Sequence, residues 1–368
     1  MRVALRVINV VGARPNFMKV APIVRAMRAD AGFVPRLVHT GQHYDPSMSR
    51  IFFEELDLPA PDLHLGVGSG THAVQTARTL VAFERVLLAE RPDLVLVVGD
   101  VNSTLACALA AAKLKIPVAH VEAGLRSRNF AMPEELNRLL TDRLSSYLLT
   151  PSADADRNLL AEGHDPARIH RVGNVMIDSL LHHRREAETR SRVLESLGLV
   201  ARRYAVLTLH RPETVDHPER LAAALRAISQ VADLVPVVCP VHPRTRKLFD
   251  SSRIDGNLRL LEPLGYFDFI KLMDHALFVL TDSGGIQEET TVLGVPCLTL
   301  REETERPITV SEGTNIVVGL DAEQIAAESR KIIRGEGKTG RLPELWDGHT
   351  AERIVAVLAR KTSAPTGA

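Results

Sequence analysis

The stretch LVLVVGDVNSTLACALAAAK, residues 94–113, carries the clearest fold signal in the chain. Its first five residues, Leu94–Val98, form a continuous apolar run, which is typical of a strand buried on both faces of a parallel sheet. Polar residues follow this run, and the Ala-rich segment Ser103–Lys113 predicts a helix with Ser103 as its N-cap. A buried strand that ends in polar residues and leads into a helix is the repeating unit of doubly wound α/β proteins.

The same alternation extends through the first half of the chain. The predicted strands are Ala4–Val11, Val34–Thr40, Leu94–Val98, Val118–Val121 and Tyr147–Thr150. The predicted helices are Pro15–Ala29, Thr71–Glu90, Ser103–Lys113, Pro133–Ser145 and Ala153–Glu162. This order of strands and helices indicates a doubly wound domain.

The pattern restarts after a charged segment, Leu180–Leu199, which predicts a solvated connecting helix. Strands then fit Ala205–Leu209, Val235–Cys239, Leu258–Leu261, Leu277–Thr281 and Pro296–Leu300, and a terminal helix fits Ala351–Arg360. We therefore predict two Rossmann-like doubly wound domains, residues 1–175 and 176–368, with a cleft between them at the C-terminal ends of both sheets. The last helix is a candidate to pack back onto the first domain.

Composition narrows the classes of function. The chain has 368 residues, of which 45% are hydrophobic and 4% aromatic, and its 45 Lys and Arg balance its 45 Asp and Glu. Neutral charge and few aromatics argue against nucleic-acid binding, and the apolar stretches fall short of the roughly 20 residues that span a bilayer. The three cysteines lie apart, and the N-terminal segment resembles a strand rather than a signal peptide. We expect a cytoplasmic protein without a nucleic-acid or membrane partner.

A polar cluster follows the first predicted strand, where a doubly wound fold places its ligand. The cluster is GARPNFMK, residues 12–19, with Pro15 near the first turn of a helix. Arg14 and Lys19 beside a helix N-terminus suit an anion such as phosphate. A capped turn with two solvated cations is the alternative.

Three carboxylates fall on the same edge of the first predicted sheet. Asp100 and Glu122 follow buried strands, and Glu134 opens a helix that begins at Pro133. Acidic residues are common in a first helical turn, and Glu134 can also pair with Arg138 four residues on, so a structural role for each is the alternative. Their convergence beside a cationic anchor favours proton transfer next to a phosphorylated substrate.

The second half places further polar residues after its predicted strands. His210 ends one strand and His242 another, and the segment Asp282–Glu289 links a strand to a helix. Ser283, Gly284 and Gly285 would leave backbone N–H groups open at that helix start, which predicts a phosphate cradle, and an acid one turn on would reach a ribose diol. A tight turn is the alternative for the two glycines.

Signals for a cofactor or a metal are weak. No G-x-G-x-x-G or Walker A motif follows a strand, because Gly66-Val67-Gly68-Ser69-Gly70 follows a Pro-rich connector and fits a flexible loop. His120, His210 and His242 lie far apart in the sequence, and His182-His183 falls in the charged segment, where we expect it to be solvated. We predict neither a nicotinamide cofactor nor a metal site.

Taken in order, these motifs resemble those of the UDP-N-acetylglucosamine 2-epimerase family, the non-hydrolysing bacterial type. The matching pieces are GARPNFMKVAP, TGQHYD, VVGDVNSTLA, HVEAGLRS, MPEELNR, HRPETVD, VHPRT, DSGGIQEE and TERPITVSEGTN, between residues 12 and 315. The resemblance implies a glycosyltransferase-B type fold, an isomerase of cell-surface polysaccharide biosynthesis, and a homodimer.

The resemblance also implies roles for individual residues. It places acid/base chemistry in the first domain and UDP binding mainly in the second. The implied catalytic residues are Asp100, Glu122, Glu134 and His210. The implied substrate-binding residues are Arg14, Lys19, Arg138, Leu264, Phe269, Ser283, Gly284, Gly285, Glu289 and Arg306, with Phe269 and the backbone of Leu264 against uracil.

The implied reaction is C2 epimerisation of UDP-N-acetylglucosamine by elimination of UDP to 2-acetamidoglucal and its re-addition. An epimerase of a related sugar, such as UDP-2,3-diacetamido-glucuronate, would use Arg126 or Arg128 for the extra carboxylate. A hydrolysing epimerase that releases N-acetylmannosamine and UDP is a further alternative. A retaining glycosyltransferase or a nucleotide-sugar sensor would leave the three carboxylates unexplained.

Many members of the family bind a second substrate molecule in an allosteric pocket beside the active site. The matching residues here are Gln42, His43, Arg211 and His242. Asp45 stands where a further Gln is expected, and Val74 stands where an Arg is expected before Gln75-Thr76. Loss of a cation and gain of an anion disfavour a diphosphate, so the sequence predicts little substrate activation.

Overall fold

The chain divides into two compact units in this computed structural model, which describes residues 4–12, 14–41, 60–241, 246, 249 and 257–361. The first unit comprises Met1–Ser179 and Glu344–Ala368, and the second comprises Leu180–Pro343. The division therefore falls after Ser179 rather than after residue 175, and the C-terminal segment belongs to the first unit. Within the described residues, no helix is both long enough and apolar enough to span a bilayer.

The first unit contains a seven-stranded sheet in the order β3-β2-β1-β4-β5-β6-β7, and all of its strand pairs are parallel. Its strands are β1 Leu5–Val11, β2 Phe33–His39, β3 Leu63–His64, β4 Leu94–Val98, β5 Val118–Val121, β6 Tyr147–Thr150 and β7 Ile169–Arg171. The strand order reverses between β1 and β4, the place where doubly wound sheets bind ligands.

Helices alternate with these strands along the chain, as in other doubly wound domains. They are α1 Arg14–Ala29, α2 His72–Glu90, α3 Asn102–Lys113, α4 Pro133–Leu144 and α5 Ala153–Ala161. Helix α6 Val175–Arg190 follows the last strand and contains the division between the units, and α14 Thr350–Lys361 is the C-terminal helix of the first unit. Helix α14 packs against α1. The backbone N–H groups of Thr350 and Ala351 donate to Asp178, so a buried carboxylate caps the start of α14.

The second unit contains a six-stranded parallel sheet in the order β10-β9-β8-β11-β12-β13. Its strands are β8 Ala205–Thr208, β9 Val237–Pro240, β10 Leu258–Leu261, β11 Phe278–Thr281, β12 Cys297–Thr299 and β13 Asn315–Val317. Its helices are α7 Val193–Leu197, α8 Pro212–Val215, α9 Pro218–Ala232, α10 Tyr266–Asp274, α11 Gly284–Leu293, α12 Pro307–Ser311 and α13 Ala322–Ile333. The strand order reverses between β8 and β11.

Apolar burial explains why these segments form strands. All five residues of β4 are buried, as its unbroken apolar run predicts. Phe83 and Leu87 of α2 cover one face of the first sheet, and Ile228 of α9 belongs to the core of the second unit. Burying each such side chain contributes about 1.5–3 kcal/mol relative to exposure. Two parallel sheets of doubly wound order confirm the predicted fold class.

The sequence analysis missed three short strands, β3, β7 and β13, and each of them lies at a sheet edge. Edge strands are covered on fewer sides, so their residues carry a weaker apolar pattern; β3 and β7 contain no fully buried residue.

Two local predictions are wrong. The connecting segment forms two helices, α6 and α7, and His183 is only 2% exposed, because its ring packs against Tyr266 and Phe267. Ser103 is not an N-cap: α3 begins at Asn102 with Val101 in the cap position, and Ser103 packs against Gly12 instead.

Candidate active site

Asn16 links the ends of β1 and β4 at the reversal of the first sheet. Its Oδ1 accepts from the N–H of Gly12 at 3.3 Å, and its Nδ2 donates to the carbonyl of Val98 at 3.1 Å. A Cβ on Gly12 would lie 2.0 Å from the Ser103 hydroxyl oxygen, so only glycine allows this close approach. These contacts fix the start of α1 beside the end of β4.

Lys19 and Glu122 form a buried ion pair at this place. Nζ of Lys19 lies 2.6 Å from Oε2 of Glu122, and the side chains are 7% and 4% exposed. Glu122 has φ of 71°, a left-handed conformation that costs a non-glycine residue about 1–3 kcal/mol. Its other oxygen, Oε1, is buried with no hydrogen-bond partner among the described residues. The carboxylate is thus held by one oxygen while the other remains available.

Arg138 holds Asp100 in place. Nη2 and Nε of Arg138 lie 2.8 and 3.0 Å from Oδ2 of Asp100, and Nη1 lies 2.5 Å from Oε2 of Glu135. The Arg138 side chain is 3% exposed, whereas that of Asp100 is 29% exposed. The guanidinium of Arg138 is therefore buried, and the Asp100 carboxylate that it orients is partly exposed.

Sequence reasoning missed the role of Glu135, which takes the place expected for Glu134 as a partner of Arg138. Burial alone would raise the pKa of Glu135, but hydrogen bonds from the backbone of Ser127 and Arg128 and the charge of Arg138 hold it below its usual value. Glu134 is half-buried in the first turn of α4. Glu135 is thus the buried partner of Arg138, and Glu134 is the more exposed of the two adjacent acids.

A second missed residue, Asp142, ties the ends of β4 and β5 together. Its Oδ1 lies 2.6 Å from Nδ1 of His120, while its Oδ2 accepts from the N–H of Gly124 at 3.0 Å and from Arg126 at 2.7 Å. Nε2 of His120 donates to the carbonyl of Gly99 at 2.8 Å. Burial opposes ionisation of Asp142, but His120 and Arg126 lower its pKa below the usual value. The network fixes the peptides that flank Asp100 and Glu122.

Arg126 is unsuited to the role of binding a substrate carboxylate. Its side chain is 3% exposed, and its guanidinium forms two 2.7 Å bonds to Glu162 in addition to its bond to Asp142. Arg128, in contrast, is exposed. Of the two arginines suggested by the sequence, the structure leaves only Arg128 for such a contact.

In the second unit, His210 and Asp282 meet at the reversal between β8 and β11. Nδ1 of His210 lies 2.9 Å from Oδ1 of Asp282; the His210 side chain is 58% exposed, and that of Asp282 is fully buried. The N–H groups of His210 and Arg211 donate to Oδ2 of Asp282 at 2.9 and 2.8 Å. Burial would raise the pKa of Asp282, but these bonds hold it below its usual value.

Three arginines surround Glu305 near the start of α11. Glu305 is 2% exposed and lies 2.8 Å from Arg306, 2.8 Å from Arg301 and 3.2 Å from Arg211. A Cβ on Gly284 would come within 2.6 Å of the Glu305 carboxylate, so the helix start lies directly against this group. Nη1 of Arg306 would lie 2.9 Å from the same Cβ, so one guanidinium lies beside the helix N-terminus, a position suited to a phosphate.

The amide of Ser283 departs from the predicted cradle. It donates to the hydroxyl oxygen of Thr281 at 2.9 Å and is not open to a ligand. Gly284 and Gly285 lie in the first turn of α11, where backbone N–H groups have no acceptor within the helix. The helix start therefore has two open backbone N–H donors, those of Gly284 and Gly285, rather than the predicted three.

Glu289 is 4% exposed on α11, and its Oε1 has no hydrogen-bond partner within the described part of the chain. Burial and the charge of Glu288 raise the pKa of Glu289 to about 8. The resemblance assigns Glu289 to UDP binding, and the sequence predicts that an acid one turn beyond Gly285 reaches a ribose diol, whose hydroxyls would supply the missing donors. Leu264 and Phe269, assigned to uracil, are half-buried before and within α10.

Some predicted residues fall outside the described part of the chain. They are Gln42, His43, His242 and the side chain of Arg14. Arg211, from the same implied allosteric group, directs its guanidinium to Glu305. Within the ranges described, no group of three or more His, Cys, Asp and Glu side chains has the arrangement of a metal site.

Comparisons with known proteins give one consistent result. A family model described as UDP-N-acetylglucosamine 2-epimerase matches residues 25–359. The UDP-N-acetylglucosamine 2-epimerase of Methanocaldococcus jannaschii is 44% identical over 359 residues, which are 95% of this chain and 97% of that protein. The UDP-2,3-diacetamido-2,3-dideoxy-D-glucuronate 2-epimerase of Pseudomonas aeruginosa is 40% identical over 364 residues, 97% of this chain and 100% of that protein.

A solved structure is similar over the same span. The crystal structure of the Methanocaldococcus jannaschii UDP-GlcNAc 2-epimerase in complex with UDP-GlcNAc and UDP matches with a TM-score of 0.90 and 43% identity. The match covers 97% of this chain and 100% of that chain.

Proposed function

This chain belongs to the UDP-N-acetylglucosamine 2-epimerase family, and on that premise we propose that it is an isomerase that interconverts UDP-N-acetylglucosamine and UDP-N-acetylmannosamine. The observation that carries the proposal from the structure is Glu122. Its carboxylate is buried, anchored through one oxygen by Lys19, and has a second oxygen without a partner among the described residues. That is the arrangement expected of a group that exchanges a proton with substrate.

The reaction proceeds by elimination, because the hydrogen at C2 of the sugar is not next to a carbonyl and is not acidic. A base removes the C2 proton while the C1–O bond breaks, which gives 2-acetamidoglucal and UDP. Protonation of C2 on the opposite face and return of the diphosphate oxygen to C1 complete the epimerisation. The overall change moves no electrons to or from an external group.

The first unit supplies the proton-transfer groups. Asp100, Glu122 and Glu134 are the candidate acids and bases. Arg138 and the hydrogen bonds around Asp142 hold Asp100 and Glu122 in fixed positions. A base and an acid must approach C2 from opposite faces, so at least two of the three carboxylates are needed. Fixed carboxylates reduce the reorganisation that each proton transfer requires.

The second unit binds the nucleotide. The start of α11 at Gly284 and the guanidinium of Arg306 offer donors to the diphosphate, and Glu289 offers an acceptor to the ribose. His210 is exposed and lies at the same strand reversal, where it stabilises the charge that UDP acquires as it leaves. Leu264 and Phe269 remain the proposed uracil contacts.

The experiment is direct. The purified protein is mixed with UDP-N-acetylglucosamine in D2O, and the products are followed by NMR. We expect UDP-N-acetylmannosamine to appear, with deuterium at C2 of both epimers. Epimerisation without exchange at C2 would rule out the elimination route, and free N-acetylmannosamine as the main product would indicate a hydrolysing enzyme.

A second substrate is a candidate because the Pseudomonas aeruginosa relative acts on UDP-2,3-diacetamido-2,3-dideoxy-D-glucuronate. Exposed Arg128 is the residue in this chain available to bind the extra carboxylate. The two sugars are compared by kcat/KM in the wild type and in Arg128→Gln. A loss confined to the glucuronate substrate would support this alternative.

We further propose that the protein acts as a cytoplasmic homodimer. Val81 and Leu88 are exposed apolar residues on one face of α2, which supports self-association, and all three cysteines are buried free thiols, which suits a reducing compartment. Sedimentation equilibrium of the wild type and of Leu88→Glu tests the dimer.

A further inference from the structure

His210 and Asp282 form a pair in which an exposed imidazole contacts a fully buried carboxylate. Asp282 is fully buried and follows β11 directly, whereas His210 lies two residues beyond β8 and is 58% exposed. The pairing of β8 with β11 in parallel register, Thr208 beside Thr281, brings these two positions together. One end of the histidine ring is therefore anchored on a buried carboxylate while the rest of the ring is accessible.

The hydrogen bonds that Asp282 accepts decide which ring nitrogen of His210 carries the proton. Oδ2 accepts from the backbone N–H groups of His210 and Arg211, and Oδ1 faces Nδ1 of His210 at 2.9 Å. An ionised carboxylate only accepts hydrogen bonds, so Nδ1 of His210 must donate. Burial opposes ionisation of Asp282, but the hydrogen bonds from the side chain and backbone of His210 and from the backbone of Arg211 hold its pKa below the usual value, so the carboxylate is ionised.

We propose that Asp282 is a positioning residue that fixes the proton of His210 on Nδ1, so that Nε2 is the nitrogen presented to the diphosphate of the substrate. When His210 is protonated, Nε2–H donates to a phosphate oxygen and the buried Asp282 balances the imidazolium charge. As UDP leaves the sugar, that charged donor stabilises the growing negative charge on the diphosphate. This role rests on the proposed function, whereas the position of the proton does not.

The test is the substitution Asp282→Asn, which keeps size and packing. The amide oxygen of Asn can still accept the two backbone N–H groups, but its NH2 group then faces Nδ1 of His210 and donates to it. Neutral His210 is thereby forced into the opposite tautomer, with its proton on Nε2. Nitrogen-15 NMR of the histidine side chains, assigned by comparison with His210→Asn, should show Nδ1–H in the wild type and Nε2–H in Asp282→Asn.

Kinetics then separate positioning from a merely structural role. We expect Asp282→Asn to lower kcat for epimerisation by about 100-fold, the scale of a lost charge-stabilising group, because the neutral amide cannot balance the imidazolium charge of His210. In a His210→Asn background the same change should have almost no further effect, because Asp282 acts through His210. Equal fold-losses in both backgrounds would overturn the proposal.

Failure of this proposal and failure of the proposed function are distinguishable. An inactive wild type would refute epimerisation, while the NMR measurement would still report the tautomer. If Asp282→Asn does not fold, the wild-type spectrum decides alone: Nε2–H in neutral His210 would overturn the proposal, and Nδ1–H would support it. If the wild type is active and Asp282→Asn is equally active, the positioning role is rejected.

Discussion

The ammonium of Lys19 lies 2.6 Å from a carboxylate oxygen of Glu122, although 103 residues separate the two in the chain. The sequence assigned Lys19 to anion binding and Glu122 to proton transfer, and the structure shows that each is the other's partner. The pair is buried, so the position of one charge depends on the presence of the other. The residue proposed to bind an anion and the residue proposed to transfer a proton are therefore one ion pair.

Removal of one member of this pair should destabilise the protein more than removal of both. Lys19→Met leaves a buried carboxylate unpaired, and we expect the free energy of unfolding to fall by about 3–5 kcal/mol. The double variant Lys19→Met/Glu122→Gln should recover part of that loss in urea denaturation. The exposed pair Arg6 and Asp93 is the control, since Arg6→Met should cost less than about 1 kcal/mol. Additive losses in the double variant would contradict this coupling.

The three candidate carboxylates should matter for turnover more than for binding. Asp100→Asn, Glu122→Gln and Glu134→Gln should each lower kcat by about 100-fold or more, because each removes a proton-transfer group. UDP affinity, measured by calorimetry, should change much less. Glu84→Gln, on the exposed surface of α2, is the control and should leave kcat unchanged. Near wild-type turnover in all three variants would assign the trio to structural roles.

Glu289 should make stability depend on pH. Its pKa in the folded protein is about 8, above the ordinary value of 4.5, so the folded state binds this proton more tightly than the unfolded state. The free energy of unfolding should therefore fall as pH rises from about 4.5 to 8, by a few kcal/mol in total. Asp178, with a pKa of about 6, contributes a similar fall that is nearly complete by pH 7.

Between pH 7 and 8.5, the titration of Glu289 can therefore be followed separately from that of Asp178. Denaturation followed by circular dichroism in this range should show a falling stability in the wild type and in Asp178→Asn. Glu289→Gln should flatten the curve, because the amide does not titrate. An unchanged slope in Glu289→Gln would place the titrating group elsewhere.

Gly284→Ala should weaken UDP binding. The added Cβ would lie 2.6 Å from the Glu305 carboxylate and 2.9 Å from Arg306, so at least one of these side chains must move away from the start of α11. We expect the Kd for UDP to rise about tenfold, the equivalent of one displaced charged contact. Far-ultraviolet circular dichroism should show an intact fold, and an unaltered Kd would exclude this helix start from the nucleotide site.

Substrate activation should be small. The sequence has Asp45 and Val74 where an activating pocket is expected to hold Gln and Arg, and Arg211 already pairs with Glu305. A reaction started from UDP-N-acetylmannosamine alone should therefore run without a lag. A long lag that a trace of UDP-N-acetylglucosamine abolishes would show that another cation, such as exposed Arg78 one turn along α2, compensates.

The sequence by itself determined the architecture and the positions of the polar clusters along it. Apolar runs such as Leu94–Val98 predict central strands with the bounds that the structure has, because a strand buried on both faces admits few polar residues. The polar clusters after β1, β4, β5, β8 and β11 lie at the carboxyl ends of parallel strands, as doubly wound folds require. Three of the four edge strands, β3, β7 and β13, escaped prediction, since partial exposure relaxes this pattern.

Only the tertiary structure decided which side chains meet. Arg138 pairs with Glu135 rather than Glu134, and Asp142 and Asp282 lie inside the networks although neither is an obvious site residue in the sequence. For the residues that follow strands, the physical reason is strand register: Val98 of β4 lies beside Val121 of β5, so Gly99 and Glu122 follow side by side. A shift of one residue would move Glu122 away from Gly99, and nothing in the local sequence specifies that register.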